Sequence, residues 1–360
     1  MRVERSLARW LETTTLTVPS LCSSSSSSSS SSSLEDARGG VARALFLDAR
    51  DAEAFSRARL RFSANVPLDA IDRGDAGCAL PPRTQPFVLI ADPNVDVEAQ
   101  IARFVVDFKG VPWRLDACFV GDDAFFDACE AVNDARVGVA RGEDNGGCTP
   151  RERLRLWSPS PEFAAWLPKV ERETLGAASV GASHVAATCV DLGCGAGRDC
   201  VWAASRGWRV VAIDNDKKGL ARCEALAEQH GVRERVTTLE MDLTKLSAED
   251  VFARVSSALA SSSSSSSSSS VVVVYAVRYL HKPLMRALAS RAAFATAVVW
   301  VHFMRGCETT DVGRPSKAKD LLEPGERRAA FEGWDIVVDA VALLPDGRPV
   351  SEFVAIRRQS

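Results

Sequence analysis

The stretch VDLGCGAGRD, residues 190–199, constrains the fold more than any other part of this chain. An apolar run, HVAATCVDL (184–192), leads into Gly193, Gly195 and Gly197, each separated from the next by one residue. RDCVWAASRG (198–207) follows, with Val201, Ala204 and Ser205 at helical spacing and Gly207 as a stop signal. WRVVAID (208–214) is a second apolar run that ends in an acid. Strand, glycine turn, helix and strand make one βαβ unit, which predicts a right-handed crossover and a ligand crevice at the carboxyl ends of the strands. The missing Cβ atoms let the chain turn tightly and let a ligand approach the backbone. Asp214 ends the second strand, where a carboxylate can accept hydrogen bonds from both hydroxyls of a ribose. A glycine turn and a strand-end acid fit NAD as well, but a dinucleotide loop reads G-x-G-x-x-G, and here the third glycine comes one residue early. Cys194, inside the loop, is either a nucleophile or a small loop residue; the turn itself requires only the second.

The pattern continues along the chain. VTTLEMDL (236–243) is a third strand ending in Met241-Asp242-Leu243, VVVVYAV (271–277) a fourth and TAVVWVHFM (296–304) a fifth, with the helix KPLMRALASRAAF (282–294) between the last two. DIVVDAVAL (335–343), a PDGRP turn and VSEFVAIRR (350–358) read as a terminal hairpin. Asp191 before the glycines, the G-x-G-x-G itself, Asp214 and Asp242 together resemble motif I and the following strand ends of class I S-adenosylmethionine-dependent methyltransferases. The resemblance implies an α/β fold with a Rossmann-like seven-stranded sheet and an antiparallel terminal hairpin. It also implies a cofactor seat. In that seat Asp191 holds the methionine amino group and the Gly193–Gly197 backbone, with Cys194, passes beneath the methionine and ribose. Asp214 binds the ribose, and Asp242 with Leu243 borders the adenine. VRYLHKPLMRAL (277–288), GRPSKAKDLLEPGE (313–326) and LWSPSP (156–161) resemble the tellurite-resistance type of methyltransferase, which implies a small-molecule acceptor: a chalcogen oxyanion, a thiol or another small nucleophile. Tyr279 and His281, beyond the fourth strand, are the catalytic candidates, against packing for the first and a helix-terminal place for the second. Arg278 and Arg314 are candidates for attracting an anion, and His302 reads as a core histidine. The fourth strand ends in Ala276-Val277-Arg278-Tyr279 rather than Asn/Asp-Pro-Pro-Tyr/Phe, which argues against methylation of base or protein amino groups.

Upstream, ALFLDARDAEAFSRARLRFSANVPL (44–68) reads as a strand, a short helix and a Pro-terminated extended piece. Asp48, Arg50, Glu53, Phe55 and Asn65-Val66-Pro67 resemble the opening of rhodanese-like domains. FKGVPWRLD (108–116) matches that family's closing strand, with Ala117-Cys118 in place of its paired glycines. Rhodaneses follow the strand equivalent to PFVLIA (86–91) with a cysteine in a cradle of backbone N–H groups. Here Asp92-Pro93-Asn94 stands there: an aspartate cannot carry a sulfane sulfur, and Pro93 has no N–H to offer. The expected role is a non-catalytic interaction or stabilising module that meets a protein partner.

At 360 residues the chain suits two domains. The expected boundaries are an N-terminal segment with a polyserine linker (1–37), a rhodanese-like α/β domain (38–140), a Gly/Asp/Asn-rich linker (141–150) and the methyltransferase domain (150–360), with a polyserine insertion at 261–270. Polyserine buries nothing, so both tracts (23–33 and 261–270) read as loops. A net charge of −3 gives no nucleic-acid or membrane-surface footprint, and no apolar run approaches the roughly 18 residues of a membrane span. The 10 cysteines lie scattered without a C-x-x-C pair and there are 4 histidines, so no metal site is expected and a reducing compartment is. Cytoplasm is the default location; the arginines of MRVERSLARWLE leave a chloroplast or mitochondrial transit segment as the alternative. Three rival functions remain open at this level: an NAD-linked oxidoreductase, a non-enzymatic two-domain scaffold, and persulfide transfer through another cysteine of the first domain.

Overall fold

The computed structural model describes residues 10–11, 45–105, 112–132, 137–142, 155–176, 187–261, 271–291 and 294–357. The first polyserine tract, all of the second beyond Ser261, and residues 143–150 of the expected linker lie outside them. The chain divides into two compact units, Met1–Ser158 and Pro159–Ser360, with the division inside LWSPSP.

The first unit is built on β1 (Phe46–Asp48), α1 (Ala52–Arg57), β2 (Ala58–Leu60), β3 (Ser63–Asn65), α2 (Leu68–Asp72), β4 (Phe87–Ala91), α3 (Val97–Val105), β5 (Leu115–Val120), α4 (Asp123–Val132) and β6 (Val139–Arg141). A parallel sheet runs β3-β1-β4-β5, and β2 pairs separately with β6. The Pro-terminated extended piece expected after the short helix in 44–68 is therefore two strands in two sheets, broken by a turn at Arg61 and Phe62. The closing strand also starts later than FKGVPWRLD suggests. Pro112 has no N–H for a ladder, and Trp113 is held sideways by Phe104 (5.3 Å from Phe87 in turn), by Arg83 stacked 3.7 Å above its ring, and by a hydrogen bond from Nε1 to the Pro81 carbonyl.

In the second unit α5 (Pro161–Leu175) precedes β7 (Ala187–Leu192), α6 (Arg198–Ser205), β8 (Arg209–Asp214), α7 (Lys217–Gln229), β9 (Val236–Glu240), α8 (Ala248–Ser261), β10 (Val271–Val277), α9 (Lys282–Ser290), β11 (Ala297–Phe303), α10 (Glu326–Ala330), β12 (Asp335–Leu343) and β13 (Pro349–Ile356). The sheet order is β12-β13-β11-β10-β7-β8-β9, parallel from β9 to β11 and antiparallel at β13 and β12. β7, β8, β10 and β11 read as near-continuous Val/Ile/Ala runs because helices cover both faces of these central strands. Their apolar side chains, with Leu284, Met285 and Leu288 of α9 and Val251, Phe252 and Val255 of α8, form one continuous core. The helix expected over 282–294 ends at Ser290. The chain runs β7 to β9 in one direction, then returns to place β10 on the other side of β7, where Tyr275 lies opposite Asp191. That reversal leaves a crevice at the carboxyl ends of β7 and β10, the switch point at which open α/β sheets bind ligands.

Candidate active site

The glycine loop leaves β7 at this switch point. Gly193, Gly195 and Gly197 have φ of +81°, +54° and +77°, the left-handed region that costs an L-residue about 1–2 kcal/mol. Their surroundings differ. A Cβ on Gly193 would stand 2.6 Å from Cγ of Tyr279, and one on Gly197 would stand 2.1 Å from Sγ of Cys223, whereas one on Gly195 would meet nothing within 4 Å. The outer glycines thus admit neighbouring side chains, and the middle one faces open space. The N–H groups of Gly193 and Cys194 both donate to the Ile213 carbonyl (2.9 Å each), which fastens the loop to β8.

Asp214 closes β8 and binds the loop from beneath. Its Oδ2 accepts the Gly195 N–H (2.8 Å) and its Oδ1 the Asp216 N–H (2.9 Å), so each oxygen keeps a lone pair for another donor. Asp242, beyond β9, takes the Thr244 N–H (3.0 Å) and hydroxyl (2.6 Å) on Oδ1 and the Lys245 ammonium (2.9 Å) on Oδ2. The Thr244 and Lys245 bonds hold its carboxyl down at about 2. The neighbouring Leu243 side chain is buried in the core.

Asp191, on β7, is 3% exposed and has no ion pair among the described residues. Its Oδ2 accepts the Cys200 thiol at 3.0 Å, and Tyr275 Oη lies 3.6 Å from that sulfur. Burial pushes the carboxyl well above its ordinary value, with the charge of Asp199 adding to the effect. A buried acid without a cation fits an ammonium group brought by a ligand. Asp199, in the first turn of α6, is likewise raised, to about 6, by burial, although it accepts the Ser160 N–H at 2.7 Å. Ser160 also caps α5 and donates to Glu162, which pairs with Arg278 at 2.7 Å.

Arg278, Tyr279 and His281 sit where β10 enters α9. Arg278 has φ +60°, unusual outside glycine, and its guanidinium lies 5.1 Å above the Phe303 ring. Arg278 Nη1, Tyr279 Oη and His281 Nδ1 are all buried without a hydrogen-bond partner among the described residues. Tyr279 packs flat on the glycine loop, and burial raises its phenol to about 12. His281 is the N-cap residue of α9, yet its imidazole makes no capping bond. Burial lowers its pKa. Packing therefore explains part of Tyr279, and capping explains none of the His281 side chain. Arg314 is exposed, and its carbonyl accepts from Arg348 Nη1 at 3.1 Å. His302 is buried, and its Nε2–H donates to the Asp320 carbonyl (3.1 Å). Cys194 is half-buried, with Sγ 3.6 Å from the Gly195 carbonyl. Sequence reasoning did not single out Asp199, Ser160, Glu162, Cys200 or Tyr275; the acid one residue into the helix after the glycines was the available signal for Asp199. Among the described residues no group of three or more His, Cys, Asp or Glu is arranged to hold a metal, and no helix is long and apolar enough to cross a membrane.

In the first unit the loop after β4 is closed by its own side chains. Asp92 Oδ1 accepts the Asn94 N–H (2.8 Å) and side-chain amide (3.1 Å), and the fully buried Gln100 takes the Asp92 N–H (2.9 Å) while donating to the Asp92 and Val95 carbonyls (2.8 Å each). No N–H group is left turned inward at Asp92 for an anion.

Comparison with known proteins bears on the second unit. Residues 189–282, from β7 through its glycine loop to the start of α9, match the family described as Methyltransferase domain. Over 333 residues the chain is 22% identical to Uncharacterized protein UNK4.09 of Schizosaccharomyces pombe, covering 86% of this chain and 92% of that one. Among solved structures it is similar to TehB from Haemophilus influenzae (15% identity, TM-score 0.33, 48% of this chain and 57% of that one). It is also similar to magnesium protoporphyrin IX methyltransferase from Synechocystis PCC 6803 with bound S-adenosylhomocysteine (16%, 0.34, 48% and 74%). The chain thus spans little more than half, 57%, of TehB. The family match lies on the parallel strands and glycine loop described above and supports a methyltransferase domain in the second unit.

Proposed function

We propose that the protein transfers a methyl group from S-adenosylmethionine to a small polar acceptor, with the seat on Asp191, Gly193, Cys194, Gly195, Gly197, Asp214, Asp242 and Leu243. The observation that carries this reading is the open space over Gly195 beside an Asp214 carboxylate that holds the Gly195 N–H and keeps lone pairs free. When bound, the cofactor supplies a methyl carbon on a sulfonium, which is already electrophilic. The protein's part is therefore orientation and removal of water rather than activation. Asp191 would hold the amino group, whose charge offsets the burial of its carboxylate. Asp214 would fix the ribose hydroxyls, Asp242 would accept from the adenine amine, and Leu243 would border the ring.

The acceptor would lie against Arg278, Tyr279 and His281, whose orphaned polar atoms support a ligand with hydrogen-bonding groups there. His281, with its pKa lowered, is neutral near pH 7 and suited to take a proton from an acceptor that arrives protonated, such as a thiol. Tyr279, with its raised phenol, stays protonated near pH 7 and can donate a hydrogen bond. Arg278 supports an anionic acceptor, and a chalcogen oxyanion of the tellurite-resistance type is the first to try. We read residues 38–140 as a rhodanese-like module without sulfurtransferase activity and 150–360 as the catalytic domain; the self-closed loop at Asp92 supports the first assignment. Titration calorimetry tests the seat: S-adenosylhomocysteine should bind and NAD should not, and Gly195→Arg or Asp214→Ala should weaken binding at least ~100-fold, about 2.7 kcal/mol. Binding of NAD instead, or unchanged affinity in both variants, would remove this assignment. The acceptor is then sought by following S-adenosylhomocysteine release with tellurite, selenite, thiols and small carboxylates, using Asp191→Ala as control.

A further inference from the structure

Three thiols gather beneath the glycine loop. Cys194 lies in the loop, Cys200 on α6 and Cys223 on α7. Cys194 Sγ lies 3.6 Å from the Gly195 carbonyl oxygen, which packs on Gly219, one turn before Cys223 on α7, and the three thiols interact with one another. Cys223 is fully buried directly under Gly197, with its Sγ 2.1 Å from where that glycine's Cβ would be, and α7 also meets the loop at Gly219, whose own Cβ would stand 3.0 Å from the Gly195 carbonyl oxygen. Cys200 is committed to Asp191 at 3.0 Å. Cys194 is the one of the three that is not fully buried. All three are free thiols in this structure.

We propose that Cys194 and Cys223 are an oxidisable pair, joined by a hydroperoxide into a disulfide that closes the cofactor seat. A hydroperoxide ROOH meets one thiol of the pair; an S–O bond forms, the O–O bond breaks and ROH leaves, giving a sulfenic acid. The second sulfur attacks that sulfur, the S–O bond breaks and water leaves, so the two thiols together lose two electrons and two protons. Donation from Cys194 and Cys200 holds the Cys223 thiol below its ordinary range, which favours the thiolate form that reacts. Cys200, held on Asp191, stays outside the pair. Linking Cys194 to α7 removes its thiol from the Gly195 carbonyl, 3.6 Å away, and pulls the loop away from the Asp214 carboxylate that fixes Gly195.

The effect on the cofactor rests on the functional reading above; the disulfide itself does not, and the test separates them. The full-length protein, fully reduced, is treated with hydrogen peroxide, alkylated and mapped by mass spectrometry. The expected result is a loss of about 2 Da in one crosslinked peptide pair carrying Cys194 and Cys223, reversed by dithiothreitol. Cys118 and Cys129, whose thiols burial pushes up to about 11 and about 12, should remain alkylatable after denaturation. Affinity for S-adenosylhomocysteine should fall at least ~10-fold on oxidation and return on reduction. Cys223→Ser and Cys223→Ala should bind as the reduced parent does and lose the peroxide effect. A crosslink through Cys200, oxidation without any crosslink, or a crosslinked protein with unchanged affinity overturns the proposal. A reduced protein that binds no S-adenosylhomocysteine counts against the functional reading alone, since the peptide map still decides whether the pair forms.

Discussion

The two units carry parallel sheets whose strands end in loops, yet they treat buried polar groups in opposite ways. In the first, the Arg50 guanidinium pairs with Asp48 at 2.7 and 2.9 Å and reaches the Ala58 and Gly121 carbonyls, while Asn65 donates to the Asp48 and Arg50 carbonyls. Gln100 closes the loop after β4 in the same manner. Every buried side-chain nitrogen or oxygen that has no partner among the described residues lies in the second unit, and three of them cluster where β10 meets α9. Since a buried polar group without a partner costs about 1–3 kcal/mol, a unit that keeps several near one crevice is shaped for something other than its own stability. The first unit, among its described residues, satisfies its buried side-chain nitrogens and oxygens internally.

Four measurements would break or sharpen that contrast. Arg50→Ala leaves Asp48 as a buried carboxylate without its cation, and burial already raises that carboxyl. Urea unfolding should show a loss of about 3–5 kcal/mol in the first unit. A loss below 1 kcal/mol would mean that the network is not what holds these strands.

The second concerns His302, whose pKa burial lowers to about 4 from 6.5. Its unfolded form binds the proton more tightly, so its contribution is fully present above pH 6.5 and is lost as pH falls towards 4, to the extent of about 3 kcal/mol. Asp199, raised to about 6, acts with the opposite sign: its folded form binds the proton more tightly, and stability is lost as pH rises through 6. The difference between parent and His302→Gln, followed by thermal unfolding from pH 4 to 7.5, isolates the histidine and should grow with pH. A flat difference would place the imidazole in water.

Gln100→Ala should cost about 1–3 kcal/mol, because it strips partners from the Asp92 N–H and two carbonyls. It should bring no thiosulfate-dependent thiocyanate formation, since Asp92 and Pro93 remain; such activity would revive persulfide chemistry in this unit. The smallest stability effect is expected at Arg278. Arg278→Gly relieves a φ of +60°, so stability should stay within about 1 kcal/mol of the parent while acceptor turnover falls. Equal turnover with a destabilised fold would make Arg278 a structural residue.

Much of the second unit is legible in the chain because its signals are local. Gly193, Gly195 and Gly197 announce a turn with positive φ, and Asp214 stands at a strand end that its apolar run delimits, whereas the third strand, expected over 236–243, ends at Glu240 and leaves Asp242 two residues beyond it. The terminal hairpin can be read from two alternating segments around PDGRP. What is not legible depends on partners distant in sequence. Arg278 meets Glu162 across 116 residues, and Trp166 reaches Glu352 across 186. In the first unit the Pro112–Trp113 corner delays β5 through contacts with Arg83 and Phe104 that no spacing rule anticipates.

By itself the sequence determined the periodicity and the chemistry on offer: a glycine turn after a buried strand, acids at or near three strand ends, and an Asp-Pro-Asn turn after β4 that offers no thiol. Those follow from backbone sterics and from residue identity, which act within a few positions of one another. Only the tertiary structure decided which of these groups are finished and which remain open. Gly197 is filled by Cys223 while Gly195 faces free space; Asp48 has its arginine while Asp191 has no ion-pair partner among the described residues. Burial and partnership are properties of the packed chain, and they turn similar residues into a closed network in one unit and leave polar atoms open in the other.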